Sequence, residues 1–268
     1  MEKKKFGFLS NILTSLNLFS GFLAVLFAFE GKTHLSFYFV IFGLIFDMAD
    51  GRIARSLGIS SRFGLEFDSL ADLVTFGLAT SAIILNLFFG KSEVGKIFSF
   101  LPTLAVAIRL ARFNVNSDAK PKEYFEGLSS PMGAFLIISV INLLSDYERT
   151  LLIEILAFAA VIFVSALQVS TLKFRSYKEL KIKGNIYYFL FIPPFLLWLI
   201  IFKQKVFFII VVFTTFIYIF YNIIFENIYY GKNLHIRHNF KGRRAGAGLF
   251  HDDRREGQNG SGVGKARS

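Results

Sequence analysis

The stretch FGLIFDMADGRIARSLGISSRFGLEFDSLADLVTFG, residues 42–77, decides the fold. It places four aspartates, Asp47, Asp50, Asp68 and Asp72, inside or beside segments apolar enough to lie in a membrane. A lone charged side chain in hydrocarbon costs roughly 2.5–3.5 kcal/mol even on the mildest insertion scales. Four of them together demand a compensating partner.

Helical spacing supplies the first part of the answer. Asp47 and Asp50 are three residues apart and share one face of a helix. Ala54 lies a turn further on, with Gly51 and Arg55 beside that face. Gly64, Asp68 and Asp72 recur every four residues and share a face of the next helix. The short 56–63 connection makes the two helices antiparallel neighbours. At about 1.5 Å per residue the acidic groups then come to similar depth, close to one membrane interface.

Clustered carboxylates repel one another and stay ionised only beside cations. Oxygen donors without Cys or His suit hard divalent ions such as Mg²⁺ or Mn²⁺. Two such ions roughly 4 Å apart clamp a diphosphate for in-line displacement. The pattern therefore asks for a phosphate-bearing substrate. Gly51, Gly64 and Ala54 leave room for it against the helix backbones, and Arg55 can fork onto phosphate oxygens.

Outward from that stretch the chain is 54% hydrophobic and 18% charged over 268 residues. Apolar runs about as long as a bilayer core recur along it. They predict spans at 8–29, 34–56, 65–89, 97–112, 131–145, 151–170, 186–202 and 206–227, with Pro193-Pro194 kinking the seventh. Residues 8–29 are too long for a signal-peptide core and no cleavage site follows, so they read as a retained first helix. With the N-terminus inside, 24 of the 30 lysines and arginines fall on the inner side. The positive-inside rule selects that orientation, with both termini and the aspartates facing the cytoplasm of a cell or inner membrane. The net charge of +11 serves topology and anionic lipid, not nucleic acid. Absence of cysteine excludes disulfides and thiolate metal sites. Residues 173–185 read as a basic cytoplasmic linker, and 228–268 as a disordered basic tail. His235, His238 and His251 in that tail fit no standard metal spacing. The Phe and Tyr of the last two spans read as lipid-facing packing.

The order Asp-x₂-Asp-Gly-x₂-Ala-Arg-x₈-Gly-x₃-Asp-x₃-Asp is met by Asp47, Asp50, Gly51, Ala54, Arg55, Gly64, Asp68 and Asp72. It resembles the signature of the CDP-alcohol phosphotransferases. The resemblance implies an all-α polytopic membrane protein with a six-helix core, here 1–172, usually homodimeric. Two extra transmembrane helices at 186–227 would follow it. Members move a phosphatidyl-type group from a CDP-linked lipid to an alcohol and release CMP. Carried over by position, Asp47, Asp50 and Asp68 are metal ligands. Asp72 contacts the second of two divalent ions (Mg²⁺ or Mn²⁺) and is the catalytic general base. Gly51, Ala54, Arg55 and Gly64 hold the CDP moiety.

Three further stretches resemble the phosphatidylserine synthase branch: SNILTSLNLFSGFLAV at 10–25, FDSLADLVTFG at 67–77, and RLARFNV with YFEGLSSPMGA over 109–134. Ser10 and Ser129 depart from prolines frequent there. That branch implies CDP-diacylglycerol, or a CDP-linked ether lipid, and L-serine as substrates. Asn11, Thr14 and Asn17 line one side of the first helix, to contact the nucleotide or to hydrogen-bond between helices. Arg109 and Arg112 share a face and either bind the acceptor carboxylate or a lipid phosphate, or anchor the span. Ser129 and Ser130 either help select the acceptor or begin a helix at Pro131. Glycerol 3-phosphate or an inositol phosphate is the alternative acceptor. A cation or proton transporter and a non-catalytic scaffold are the readings from other classes.

Overall fold

The computed structural model describes residues 2–57, 61–116, 124–175 and 204–224. The predicted seventh span with Pro193-Pro194, most of the basic linker, the histidine-bearing tail and the side chain of Arg55 lie outside the described residues.

The first helix, α1 (Glu2–Phe29), ends where Gly31 takes a positive φ of 76°. Gly31 N donates to the Ala28 carbonyl and Lys32 N to that of Phe27, closing the helix end as a Schellman turn. The chain reverses at once into α2 (Thr33–Leu57). Ser36 then donates its hydroxyl to the Ala24 carbonyl of α1. Ser61 caps the next helix, its Oγ accepting from Gly64 N at 3.0 Å. This helix, α3 (Arg62–Phe89), is not uniformly α. It is α-helical over Arg62–Asp72 and Ala79–Ile84, and π-helical over Leu73–Leu78 and Leu85–Phe89. The first wide turn begins one residue after Asp72.

The expected span at 97–112 falls within the candidate span Glu93–Val115, whose helix is interrupted by one turn between α4 (Glu93–Phe98) and α5 (Leu101–Val115). Pro102 explains the break: it has no N–H to continue a ladder and is suited to a helix's first turn. Next come β1 (Tyr124–Glu126), α6 (Ser130–Ser145), α7 (Leu151–Val169), β2 (Lys173–Arg175) and α8 (Gln204–Tyr221). Among the described residues the secondary structure is all helical apart from β1 and β2, which pair antiparallel with Phe125 opposite Phe174. The first residues expected in the linker are thus folded onto the bundle.

Among the described residues, five helices are long and apolar enough to cross a membrane: Phe8–Phe29, Arg62–Phe89, Glu93–Val115, Leu151–Val169 and Gln204–Ile224. That makes the chain an integral membrane protein. The eight spans expected are not all reproduced. α2 has the length, but Asp47, Asp50, Arg52 and Arg55 crowd its last turns. α6 has 16 residues, about 24 Å at the α-helical rise, which is short of the ~30 Å hydrocarbon core. It is the most enclosed in character, with Gly133, Ala134, Leu136, Ile137, Ile138 and Ile141 all buried.

α3 and α6 form the centre. One core cluster joins Ala24 and Ala28 of α1, Phe37 and Val40 of α2, Phe76, Ala79 and Ile83 of α3, and Ala134 and Phe135 of α6. Phe207 and Phe208 of α8 complete it. The Phe37 ring lies 5.0 Å from that of Phe208 and 5.7 Å from that of Phe135. The lipid-facing reading of the last helix is therefore corrected for these two rings: burying aromatic surface and pairing it edge to face both favour the inward position. Small residues bring the helices close, as membrane packing requires. One close approach is at Thr75, which faces Gly21 of α1 and Gly43 of α2. A Cβ on Gly43 would lie 2.5 Å from Thr75 Cγ2 and 2.9 Å from Asn17 Oδ1. Gly43→Ala should therefore destabilise the bundle by about 1–3 kcal/mol through overpacking. A lowered midpoint of thermal unfolding in detergent is the expected reading, and an unchanged one would show that α2 and α3 separate freely.

Candidate active site

Three carboxylates meet where the end of α2 faces the start of α3. One oxygen each of Asp47, Asp50 and Asp68 lies within 4.8 Å of the other two. The i, i+3 spacing on α2 and the antiparallel return through Ser61 produce this meeting. Asp50 is buried, while Asp47 and Asp68 are half-buried. Asp72 is outside this group of three, one turn further along α3 and buried. Its charge still interacts with those of Asp47, Asp68 and Asp50.

α1 serves the acidic groups from the side. Thr14 Oγ1 donates to Asp50 Oδ2 at 2.6 Å. Asn17 Nδ2 donates to Asp72 Oδ1 at 3.1 Å. Thr14 and Asn17 are three residues apart, so one face of α1 reaches a carboxylate on each of two helices. Asn17 is completely buried, and its Oδ1 is also used, 2.8 Å from Thr75 Oγ1. Both ends of its amide are committed within the protein. Of the two uses expected for Asn17, the structure shows hydrogen bonds between helices, to Asp72 and to Thr75. Asn11 is half-buried, and its Oδ1 lies 3.8 Å from the position a Cβ on Gly64 would take. Asn11 and Gly64 thus border the same space. Gly51 and Ala54 are half-buried on α2.

The donor set fits a divalent ion. It is all oxygen, close-set, and negative beyond what hydrocarbon tolerates without a counter-charge. Asp47, Asp50 and Asp68 are the side chains that could hold one.

The two arginines of α5 have separate environments. Arg109 is half-buried, with Nη1 donating to Ser130 Oγ at 2.9 Å. Its charge interacts with Asp72 and Asp47, so it belongs to the acidic centre. Ser130 is fully buried at the start of α6, and Gln168 of α7 donates to its carbonyl at 3.4 Å. Arg112 is turned to the chain itself. Its guanidinium donates to the carbonyls of Val169, Glu126 and Ser170 at 2.7, 3.0 and 2.9 Å. It ties α5 to the end of α7 and to β1. Ser129 is the N-cap residue of α6, in extended conformation and without a side-chain capping bond.

Three contributors escaped the sequence reading. Thr75 lies three residues beyond Asp72, a spacing that would have placed it on the acidic face had the pattern been followed onward. Asn114 accepts from Ser69 and donates to Glu66, fixing α5 against α3. Gln168 carries no local signal at all.

Comparison with known proteins follows the same residues. The family model described as CDP-alcohol phosphatidyltransferase matches residues 8–172. A CDP-diacylglycerol–serine O-phosphatidyltransferase of Helicobacter pylori is 31% identical over 191 residues, covering 69% of this chain and 78% of that protein. One of Methanocaldococcus jannaschii is 34% identical over 169 residues, 63% of this chain and 74% of its own. One of Saccharomyces cerevisiae is 39% identical over 146 residues, 49% and 52% of the respective chains.

The arginines are separable by experiment. Arg112→Ala leaves three carbonyls without their donor, at about 1–3 kcal/mol for each that stays buried. It should lower the unfolding midpoint in detergent, and Arg112→Lys should restore it only in part, because an ammonium lacks the planar fork. Full stability in Arg112→Ala would contradict the anchoring role.

Proposed function

The chain belongs to the CDP-alcohol phosphatidyltransferase family, and from that premise we propose that it transfers the phosphatidyl group of CDP-diacylglycerol, or of an ether-lipid analogue, to the hydroxyl of L-serine. The products are phosphatidylserine and CMP. The observation that carries this reading is the meeting of Asp47, Asp50 and Asp68 within 4.8 Å, with Asp72 one turn deeper. The choice of serine is supported by what the relatives are named and by Arg109, a cation whose charge acts on Asp72 and which is suited to an acceptor carboxylate.

Asp47, Asp50 and Asp68 would hold divalent metal, with Asp72 contributing to a second ion. Mg²⁺ or Mn²⁺ bound there supplies Lewis-acid neutralisation of the diphosphate and of the acidic side chains. Gly51, Ala54 and Gly64 leave room for the CDP group against α2 and α3, bordered by Asn11, and Arg55 is assigned to its phosphates. Asp72 takes the proton from the serine hydroxyl. The freed oxygen attacks the lipid-side phosphorus, a new P–O bond forms, and the phosphoanhydride bond to CMP breaks. CMP carries off the electron pair of that bond. Arg109 orients the serine carboxylate, and Ser130 holds Arg109 in place.

The aspartates sit at an interface, where a lipid enters from the bilayer and serine from water. That interface is assigned to the cytoplasmic side on the distribution of Lys and Arg. Residues 1–172 are assigned as the six-helix catalytic core, 173–185 as the linker, 186–227 as two added helices and 228–268 as the tail. A homodimer is the assembly assigned to it.

The test is incubation of the purified protein with CDP-diacylglycerol, Mg²⁺ or Mn²⁺, and each candidate alcohol in turn. CMP release and phosphatidylserine formation should depend on L-serine. Equal turnover with glycerol 3-phosphate or an inositol phosphate would reassign the acceptor. Asp72→Asn should lower turnover by about 10²–10⁴-fold, the usual contribution of a general base, while the protein stays folded. Wild-type turnover in that variant would remove the base role. Mn²⁺ should raise the unfolding midpoint of the wild-type protein and not of Asp68→Asn; equal shifts in both would place the ion elsewhere.

A further inference from the structure

We propose that Thr75 is a positioning residue for the transfer step, acting on Asp72 through the amide of Asn17. The inference rests on the reading of Asp72 as the general base.

An asparagine amide has two unlike ends, and turning it over exchanges a donor for an acceptor. Asn17 faces a carboxylate at one end, 3.1 Å away, and a hydroxyl at the other, 2.8 Å away. A carboxylate oxygen fixes only one end of the amide, so the orientation depends also on what the other end meets. Thr75 supplies the missing constraint. Its hydroxyl lies near two acceptors of the same residue, Asn17 Oδ1 at 2.8 Å and the Asn17 carbonyl at 3.0 Å. Donation there keeps the amide oxygen toward Thr75 and the NH₂ toward Asp72 Oδ1. One Asp72 oxygen, Oδ1, is thereby occupied, and the carboxylate is held with Oδ2 toward the reacting groups.

The fold holds Thr75 for this task. It is fully buried, in the π-helical turn Leu73–Leu78 that begins just after Asp72. Wide turns of this kind are frequent at functional sites. Its methyl faces Gly43 of α2, and its hydroxyl faces Gly21 and Asn17 of α1. One side chain thus registers three helices at once, with Asp72 a turn away on its own helix.

Thr75→Val keeps the methyl and the volume and removes the hydroxyl. In the purified protein with CDP-diacylglycerol, L-serine and Mg²⁺, it should lower kcat by about 10- to 100-fold, the scale of a misplaced reacting group. KM for both substrates, and the shift of the unfolding midpoint by Mn²⁺, should stay near wild type. Thr75→Ser should recover most of kcat. Asn17→Ala should also be slow, and adding Thr75→Val to it should cause little further loss, because both act through one chain of bonds. If Thr75→Val fails to fold, Thr75→Ala against Thr75→Ser makes the same comparison without overpacking.

Wild-type kcat in a folded Thr75→Val or Thr75→Ala, or losses that multiply fully in the double variant, would overturn the proposal. The outcome with Asp72→Asn separates the two readings. If that variant is inactive while Thr75→Val is normal, only the positioning role falls. If it turns over at the wild-type rate, the base assignment falls and takes this inference with it.

Discussion

Carboxylates that water cannot fully reach must be met by side chains or ions, and this bundle is arranged around that constraint. Asp50 and Asp72 are both buried, on different helices, and each receives a hydrogen bond from α1. Thr14 and Asn17 can serve them only if α1 lies against both α2 and α3 in one register. Interhelical bonds of this kind contribute about 0.6 kcal/mol on average within membranes, up to about 1.7. They fix registry more than they add stability. The glycines make the registry possible: Gly21 and Gly43 admit Thr75, and with it the close contact of three helices.

The opposite wall is built by other means. α5 is held to α3 by Asn114 with Ser69 and Glu66, and to the α7 end and β1 by the fork of Arg112. Arg112 is engaged on the backbone, and the charge of Arg109 acts on Asp72 and Asp47. Ser130 restrains it from α6. Two sets of contacts thus brace the acidic group, with α3 common to both. Elsewhere the packing is apolar and α8 is part of it, through Phe207 and Phe208 against Phe37 and through Tyr218 stacked on Phe174.

The sequence by itself determined the class of the protein and the heart of its site. Apolar run length identified membrane helices, and the i, i+3 and i, i+4 intervals put Asp47 with Asp50 and Gly64 with Asp68 and Asp72, because a helix's period is a property of its backbone. The short connection made the two helices neighbours. What only the tertiary structure decided concerns partners distant along the chain. It set Asp72 apart from the other three. It placed Asn17 between Asp72 and Thr75, sent Arg112 to three carbonyls and Arg109 to Ser130, and brought Ser130 and Gln168 together. It also put a turn before Pro102 within the fourth span and widened α3 after Asp72. Periodicity tells which residues share a face, but not which face of another helix they meet or at what depth. That is settled by how small and large side chains interlock across the bundle, a sum over contacts that no local pattern contains.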